Sequence, residues 1–300
     1  MRRFRSKAKR DKGRFLRRMR GQRVKYITLL PSLITVLNGV FGFTAIVFAS
    51  RGAENGVAGF TYFAMAGYMV LLAMFADMLD GRLARMSQST SSFGGQLDSL
   101  CDMVSFGITP AFLMLKVIES KLDLTTPLSG GLFHRFIWLA ALAYTSCAAI
   151  RLARFNVENK ENETAHMRFI GLPSPAAAGL VVSVIIFHQE ALRSFDGLIY
   201  VLPFLTLAAA VLMVSRIPYP HILNLYLRGK KPFSYLTRVL FFLGVVMWNM
   251  QAALVLIFAF FTISGLTRWI YLRLRPGKNH LALTAPNVTG PPACHSGAQG

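Results

Sequence analysis

Long apolar stretches separated by short polar segments dominate the pattern of the chain. Tyr26–Ala49 and Gly56–Ala76 contain no charged residue, and Gly171–Gln189 and Gly197–Ser215 share that property. An α-helix needs about 20 apolar residues to cross a bilayer. Each of these four stretches therefore predicts one membrane-spanning helix.

Two further stretches are shorter and become spans only when they are extended. Phe136–Ile150 can be extended upstream through His134. Met103–Leu115 reaches the length of a span only if Leu97–Cys101 belongs to the same helix, which brings Asp98 and Asp102 into it. The sequence thus predicts two acidic residues inside the third spanning helix.

The last apolar stretch, Val239–Thr267, is too long for one ordinary span. At about 1.5 Å per residue it would measure roughly 44 Å as one helix, against a hydrocarbon core of about 30 Å. Asn249 and Gln251 place polar groups near its middle, so we predict two short helices with a turn near Trp248–Gln251. The prediction is an all-α, polytopic transmembrane bundle of about eight spans.

The distribution of basic residues supports eight spans with the N-terminus inside. The chain has 33 Lys and Arg against 13 Asp and Glu, and short cytoplasmic loops are enriched in Lys and Arg. Eight spans leave 28 of the 33 basic residues inside. The basic residues left outside are Arg51, Lys116, Lys121, Arg135 and Arg193. A single final span would place residues 268–278 outside and weaken this bias.

Composition and charge define the class of protein and its three regions. Charged residues make up 15% of the chain, whereas soluble domains average about 25%, which excludes an ordinary soluble protein. Residues 1–25 are strongly basic, and we expect this cytoplasmic segment to bind anionic lipid headgroups rather than nucleic acid, although a nucleic-acid-binding arm is the alternative. Residues 26–268 form the predicted transmembrane domain, and residues 269–300 a cytoplasmic tail whose composition is typical of disorder.

Four acidic residues lie together at the predicted cytoplasmic ends of the second and third spans. Asp77 and Asp80 are three residues apart, and Asp98 and Asp102 are four apart, so each pair shares one face of a helix. Small residues fall on the same faces: Gly81, Ala84 and Gly94. Two helices therefore present paired carboxylates beside cleared surfaces.

Carboxylates in this setting favour a divalent metal ion. One carboxylate inside a span costs roughly 2.5–3.5 kcal/mol, and several would also repel one another. Oxygen ligands suit Mg²⁺ or Mn²⁺, and Arg85 beside a cleared face indicates a phosphate-bearing substrate. The alternatives are an intramembrane salt-bridge cluster and a cation transport path, but neither explains the small residues.

These residues and their spacing resemble the signature of the CDP-alcohol phosphatidyltransferases at every defined position. The pattern is Asp77-x2-Asp80-Gly81-x2-Ala84-Arg85-x8-Gly94-x3-Asp98-x3-Asp102. Further segments resemble the phosphatidylserine synthase branch of that family: Phe93–Leu100, Asp102–Gly107, Arg151–Asn156, Gly171–Ala178 and Ser215–Pro220. The resemblance covers residues 25–268.

The resemblance implies an integral membrane enzyme, usually a homodimer, that transfers a phosphatidyl group from CDP-diacylglycerol to L-serine and releases CMP. It implies that two divalent ions, Mg²⁺ or Mn²⁺, are held by Asp77, Asp80, Asp98 and Asp102, and that Asp102 is the general base. It also implies a site for the CDP moiety lined by Gly81, Ala84, Arg85 and Gly94. The alternatives are another acceptor, such as glycerol 3-phosphate, inositol phosphate or choline, and a cation transporter.

Other polar residues in the spans have two interpretations each. Arg151 and Arg154 end the fourth span and can bind the carboxylate of serine or a phosphate, or act as positive-inside anchors. Thr35 and Asn38 in the first span can face the nucleotide or bond another helix, and we favour helix packing. The expected location is a bacterial inner membrane, with the active site at the cytoplasmic face.

Overall fold

The computed structural model describes residues 32–54, 56, 59–87, 92–122, 131–161, 171–195, 197–215, 217 and 249–274. These residues fold into helices joined by turns. In chain order, the helices are α1 (Ser32–Ser50), α2 (Tyr62–Ser87), α3 (Ser92–Asp102), α4 (Thr109–Leu122), α5 (Leu132–Glu161), α6 (Ser174–Glu190), α7 (Gly197–Val214) and α8 (Met250–Leu274). A π-helical turn, Met103–Ile108, joins α3 to α4, so the two form one rod.

Six helical segments are long and apolar enough to cross a membrane. They are Ser32–Ser50, Tyr62–Leu83, Phe93–Leu122, Leu132–Val157, Gly197–Val214 and Met250–Tyr271. The seventh long helix, α6, has 17 residues, most of them buried by its neighbours. The prediction of an all-α polytopic membrane bundle is confirmed.

Helix α6 is the centre of the bundle and packs against α2, α7 and α8. Two glycines bring its neighbours close. A Cβ atom added to Gly67 of α2 would lie 2.6 Å from Cγ1 of Ile186, and one added to Gly179 of α6 would overlap the ring of Phe258 of α8. Small residues at such contacts let membrane helices approach closely, because little separates the two backbones.

At one end of the bundle α2, α5 and α7 end while α1, α3 and α6 begin; we call it the aspartate end. Backbone hydrogen bonds join the start of α6 to the end of α7, from Gly171 N–H to the Ile217 carbonyl (2.9 Å) and from Leu172 N–H to the Leu212 carbonyl (3.0 Å). Gly171 has φ +86°, and a Cβ there would lie 2.5 Å from the Met213 carbonyl oxygen. Only glycine fits this turn.

Helices α2 and α5 extend beyond the ends of the apolar stretches that predicted them. The second span was predicted as Gly56–Ala76, but α2 begins at Tyr62 and continues to Ser87, past both of its aspartates. Helix α5 likewise outlasts Phe136–Ile150 at both ends. Hydropathy marks where a helix meets lipid, whereas the hydrogen-bonded ladder continues into the polar interface. The inclusion of Leu97–Cys101 in the third span is confirmed.

Helix α8 begins where a turn was predicted. The side-chain oxygen of Asn249 accepts a hydrogen bond from Ala252 N–H (3.2 Å), which is the arrangement of a helix N-cap. The prediction that this helix is short is wrong, because it has 25 residues and continues past Thr267 to Leu274. The first of the two predicted helices, residues 239–248, lies outside the described residues.

The position of α8 bears on the number of spans. Gln251 in its first turn donates a hydrogen bond to Glu190 at the far end of α6, so α8 begins opposite the aspartate end and runs towards it. Ile217 lies at the aspartate end. The ends of the stretch between Ile217 and Asn249 thus lie at opposite ends of the bundle, as eight spans require. That stretch lies outside the described residues, so the count of eight stays a prediction.

Candidate active site

Three aspartates converge at the aspartate end of the bundle. Asp77 of α2 and Asp98 and Asp102 of α3 each direct a carboxylate oxygen into one group whose atoms lie within 4.8 Å of one another. Asp98 and Asp102 are four residues apart, so they lie on the same face of α3, and α2 brings Asp77 to that face. The arrangement agrees with the face predicted from the spacing.

Asp80 is not part of this three-carboxylate group. It lies about one turn beyond Asp77 on α2 and is buried, with 4% of its surface exposed. The Thr35 side chain of α1 hydrogen-bonds with its carboxylate. Its Oδ2 atom is buried and has no hydrogen-bond partner among the described residues. Of the four predicted metal ligands, the structure therefore brings together three.

Helix α1 supplies a donor to the most deeply buried member of the group. Asn38 is fully buried, and its Nδ2 donates a hydrogen bond to Oδ1 of Asp102 at 2.9 Å. The carbonyl of Asn38 accepts a hydrogen bond from Oγ of Ser105 (2.9 Å), the third residue of the π-helical turn. Thr35 and Asn38 therefore do bond another helix, and their partners are the aspartates of the site.

The two arginines of α5 differ in their surroundings. Arg151 donates from Nη1 to Oγ of Ser174, the first residue of α6, at 2.8 Å, and it interacts electrostatically with Asp102. Its Nε is buried and has no hydrogen-bond partner among the described residues. Arg154, about one turn further along, is partly exposed. Arg151 thus places a basic side chain beside the carboxylates.

The small residues of the motif leave space beside the carboxylates. Gly81 is exposed, and a Cβ atom added there would meet nothing within 4 Å. Gly94 is partly exposed in the first turn of α3. The side chains of Ala84 and Arg85 lie outside the described residues. A side chain added at Gly81 would therefore begin in open space, which leaves room there for a ligand.

The three-carboxylate group fits a divalent cation. Its donors are hard oxygen atoms, the kind that Mg²⁺ and Mn²⁺ prefer. Oδ1 of Asp98 is buried without a hydrogen-bond partner among the described residues, which is costly unless a cation or a donor satisfies it. Carboxylates this close together also repel one another in a low-dielectric setting. A bound cation relieves both costs.

Two polar residues at the site escaped prediction from the sequence. Ser174 receives the hydrogen bond of Arg151 and is almost fully buried. Ser105 bonds the backbone beside Asn38. A serine in a membrane helix is common, so neither residue carried a signal in the sequence. Asn38 did carry one, because a buried amide in a span needs a partner.

The chain belongs to the CDP-alcohol phosphatidyltransferase family, since the family model matches residues 28–215. That match includes the whole aspartate motif and ends just after α7, so α8 lies beyond it.

Individual relatives agree. The chain is 32% identical over 254 residues to a CDP-diacylglycerol–serine O-phosphatidyltransferase of Helicobacter pylori J99, which covers 82% of this chain and 93% of that protein. A protein of the same name from Methanocaldococcus jannaschii is 30% identical, covering 74% of this chain and 86% of that one. One from Mycobacterium bovis is 32% identical, over 66% of this chain and 63% of that one.

Proposed function

We propose that the protein transfers the phosphatidyl group of CDP-diacylglycerol to the hydroxyl of L-serine, giving phosphatidylserine and CMP. The convergence of Asp77, Asp98 and Asp102 on one point carries this proposal, because the reaction needs charge compensation at a diphosphate. The names of the relatives support L-serine as the acceptor.

The metal site is the first part of the proposal. Asp77, Asp98 and Asp102 would hold Mg²⁺ or Mn²⁺, with Asp80 supplying the fourth carboxylate of the motif. When bound, the metal neutralises charge on the attacking and leaving oxygens of the diphosphate. The buried Oδ2 of Asp80 and Oδ1 of Asp98, both without partners among the described residues, support this assignment.

Asp102 is proposed as the general base. Its carboxylate takes the proton of the serine hydroxyl, whose oxygen then forms a bond to the β-phosphorus of CDP-diacylglycerol. The bond from that phosphorus to the bridging oxygen breaks, and its electron pair leaves with CMP. Asn38 donates to Oδ1 of Asp102 at 2.9 Å and so fixes the orientation of this carboxylate.

The substrates occupy the two flanks of the carboxylates in this proposal. Gly81, Ala84, Arg85 and Gly94 line the site for the CDP moiety, and the open space beside Gly81 supports that placement. Arg151, positioned by Ser174, binds the carboxylate of serine or a phosphate, and Arg154 assists it.

The protein is an integral membrane protein, and we propose that its active site faces the cytoplasm of a bacterial inner membrane. CMP is soluble and leaves to the cytoplasm, while both lipids stay in the bilayer. The basic residues predicted to lie inside support this orientation. We also propose a homodimer, on the resemblance to the family, and no nucleic-acid partner.

An acceptor panel tests the function. The purified protein in mixed micelles receives CDP-diacylglycerol and Mn²⁺ or Mg²⁺, together with L-serine, glycerol 3-phosphate, inositol phosphate or choline, and CMP is measured. We expect CMP only with L-serine and only with metal. Release with glycerol 3-phosphate instead would keep the family chemistry and reject the acceptor. No release with any alcohol would reject the transferase and favour cation transport through the four acids.

A further inference from the structure

The rod formed by α3 and α4 is interrupted directly after Asp102. Residues Met103–Ile108 form a π-helical turn, in which Thr109 N–H bonds the carbonyl of Val104, five residues earlier. An α-helix would use a partner four residues away. Turns of this kind are rare and are frequently found at functional sites.

Three hydroxyl groups brace this turn. Oγ1 of Thr109 lies 2.7 Å from the Val104 carbonyl oxygen and 3.2 Å from the Gly42 carbonyl oxygen of α1, and it can donate to either. The phenol of Tyr144 on α5 donates to the Phe106 carbonyl at 3.1 Å. Ser105 donates to the Asn38 carbonyl on α1 (2.9 Å). The turn is therefore bonded within its own rod and to a helix on each side.

The turn is also closely confined. A Cβ atom added to Gly42 of α1 would overlap Ser105, and one added to Gly107 would lie 2.8 Å from Sδ of Met103 and 3.3 Å from Cβ of Ala148 on α5. Gly42 on α1 and Gly107 in the turn thus allow α1 and α5 to pack closely against the turn. The turn cannot rotate without displacing one of these two helices.

A π-helical turn changes the direction in which side chains after it face, relative to side chains before it. It accommodates one residue more than an α-helical turn, which rotates the following helix by about 100° relative to an unbroken α-helix. Before the turn, α3 directs Asp98 and Asp102 towards Asp77; after it, α4 buries Leu113 and Ile118 in the core. The turn sets the orientation of the carboxylate face while α4 stays packed.

We propose that the braced π-helical turn holds Asp102 in register with Asp77, and that Tyr144 is the positioning residue that maintains the turn. Tyr144 is fully buried, and its hydroxyl bonds the turn rather than a substrate. Arg151 lies two turns further along α5, on the same face, so one helix carries both the brace and the arginine of the site. The expected effect of the turn on kcat rests on the proposed transfer reaction, whereas its expected effect on the orientation of α3 does not.

A cross-link reports the register without any assay of activity. A Cβ atom at Gly39 of α1 would lie 3.5 Å from Cβ of Cys101, the residue before Asp102, and disulfides need about 3.5–4.5 Å between these atoms. Gly39→Cys is therefore combined with native Cys101, after Cys147 and Cys294 are replaced by alanine. The rate of disulfide formation under a mild oxidant then measures how α3 faces α1.

The brace is removed by Tyr144→Phe with Thr109→Val, and the matched control is Tyr68→Phe with Thr206→Val. The control also removes one phenol and one threonine hydroxyl, whose partners are Glu190 and the Leu202 carbonyl, away from the turn. We expect the brace variant to cross-link about fivefold more slowly and, without the added cysteine, to lose about tenfold in kcat with KM for serine within twofold. The control should change neither by more than about twofold.

Two results would overturn the proposal: equal cross-linking rates in brace and control variants, or a slower cross-link with unchanged kcat. If the double variant does not fold, Tyr144→Phe alone is measured, with Tyr68→Phe as its control. A wild-type protein that makes no CMP with L-serine contradicts the proposed function instead, and the cross-link still decides whether the turn sets the register.

Discussion

The two ends of the bundle both bury acidic side chains, and they do so in different ways. At the far end, Oε2 of Glu190 on α6 accepts hydrogen bonds from the phenol of Tyr68 (3.1 Å) on α2 and from the side-chain amide of Gln251 on α8. At the aspartate end, three carboxylates share one point, and Asn38 is the neutral donor to them.

The difference separates a joint, a hydrogen-bonded contact that holds helices together, from a candidate reaction site. One carboxylate with two neutral donors ties three helices together through its Oε2 atom, although its Oε1 atom is buried without a hydrogen-bond partner among the described residues. Three carboxylates within 4.8 Å of one another have more negative charge than the Asn38 amide and the Arg151 guanidinium balance, which favours a bound cation. The number of acids for each available donor is what distinguishes the two ends.

The largest expected effect comes from removing a carboxylate at the aspartate end. Asp77→Asn, Asp98→Asn and Asp102→Asn should each reduce kcat/KM by at least about 1000-fold, because several kcal/mol of charge stabilisation are lost. Thermal stability should not fall, since each change also relieves repulsion. CMP release and a thermal melt measure the two effects. Near-normal turnover in any one variant would remove that residue from the site.

A smaller loss is expected when the donor to Asp102 is removed. Asn38→Ala deletes the hydrogen bond to Oδ1, and a bond to a charged group contributes about 1.5–3 kcal/mol, or roughly 10- to 100-fold in kcat. Thr44→Ala is the control on the same helix, because its hydroxyl bonds only its own backbone at Val40 among the described residues. Equal losses in the two variants would mean that α1 matters only for packing.

Substitutions of Gly81 should separate the stability of the protein from its binding of CDP-diacylglycerol. Gly81→Ala should raise the melting temperature, because alanine is favoured over glycine in a helix by about 1 kcal/mol and nothing lies within 4 Å of the added Cβ. Gly81→Leu should fold but weaken binding of CDP-diacylglycerol by about tenfold or more, as its side chain fills the open space. Binding is followed by the KM for CDP-diacylglycerol. A misfolded Gly81→Leu variant would show that the glycine serves helix packing.

The smallest effect is expected at the far end. Glu190→Gln keeps an oxygen that can accept from Tyr68 and should lower stability by about 1 kcal/mol, with kcat within about twofold of the wild type. A thermal melt and the CMP assay measure both. A large loss of activity without unfolding would show that the joint at the far end is coupled to the reaction, and the contrast between the two ends would fail.

Much of the architecture could be predicted because it depends on the length of apolar stretches and on the spacing of residues along the chain. Apolar length identified the spans, and the four-residue step from Asp98 to Asp102 predicted their common face. The separation of Asp80 from the three-carboxylate group could not be predicted, because it depends on how α2 is rotated against α3. Periodicity describes one helix at a time and does not contain that angle.

The contacts of Asn38 and the π-helical turn were out of reach for a related reason. Asn38 and Asp102 are 64 residues apart, and no local pattern joins them. The turn replaces one hydrogen-bond spacing by another without changing hydropathy, so Met103–Ile108 looks like any other apolar stretch. The full length of α8 escaped prediction because Arg268 and Arg273 were expected to lie beyond its end.

Binding of Mn²⁺, measured by electron paramagnetic resonance on the purified protein without substrate, shows whether the three aspartates form a metal site. We expect the wild type and Glu190→Gln to remove the same amount of free Mn²⁺ from solution, and Asp98→Asn to remove far less, because among the described residues only the aspartate end has convergent carboxylates. Equal binding by all three proteins, or none by the wild type, would contradict the assignment of Asp77, Asp98 and Asp102 as a metal site.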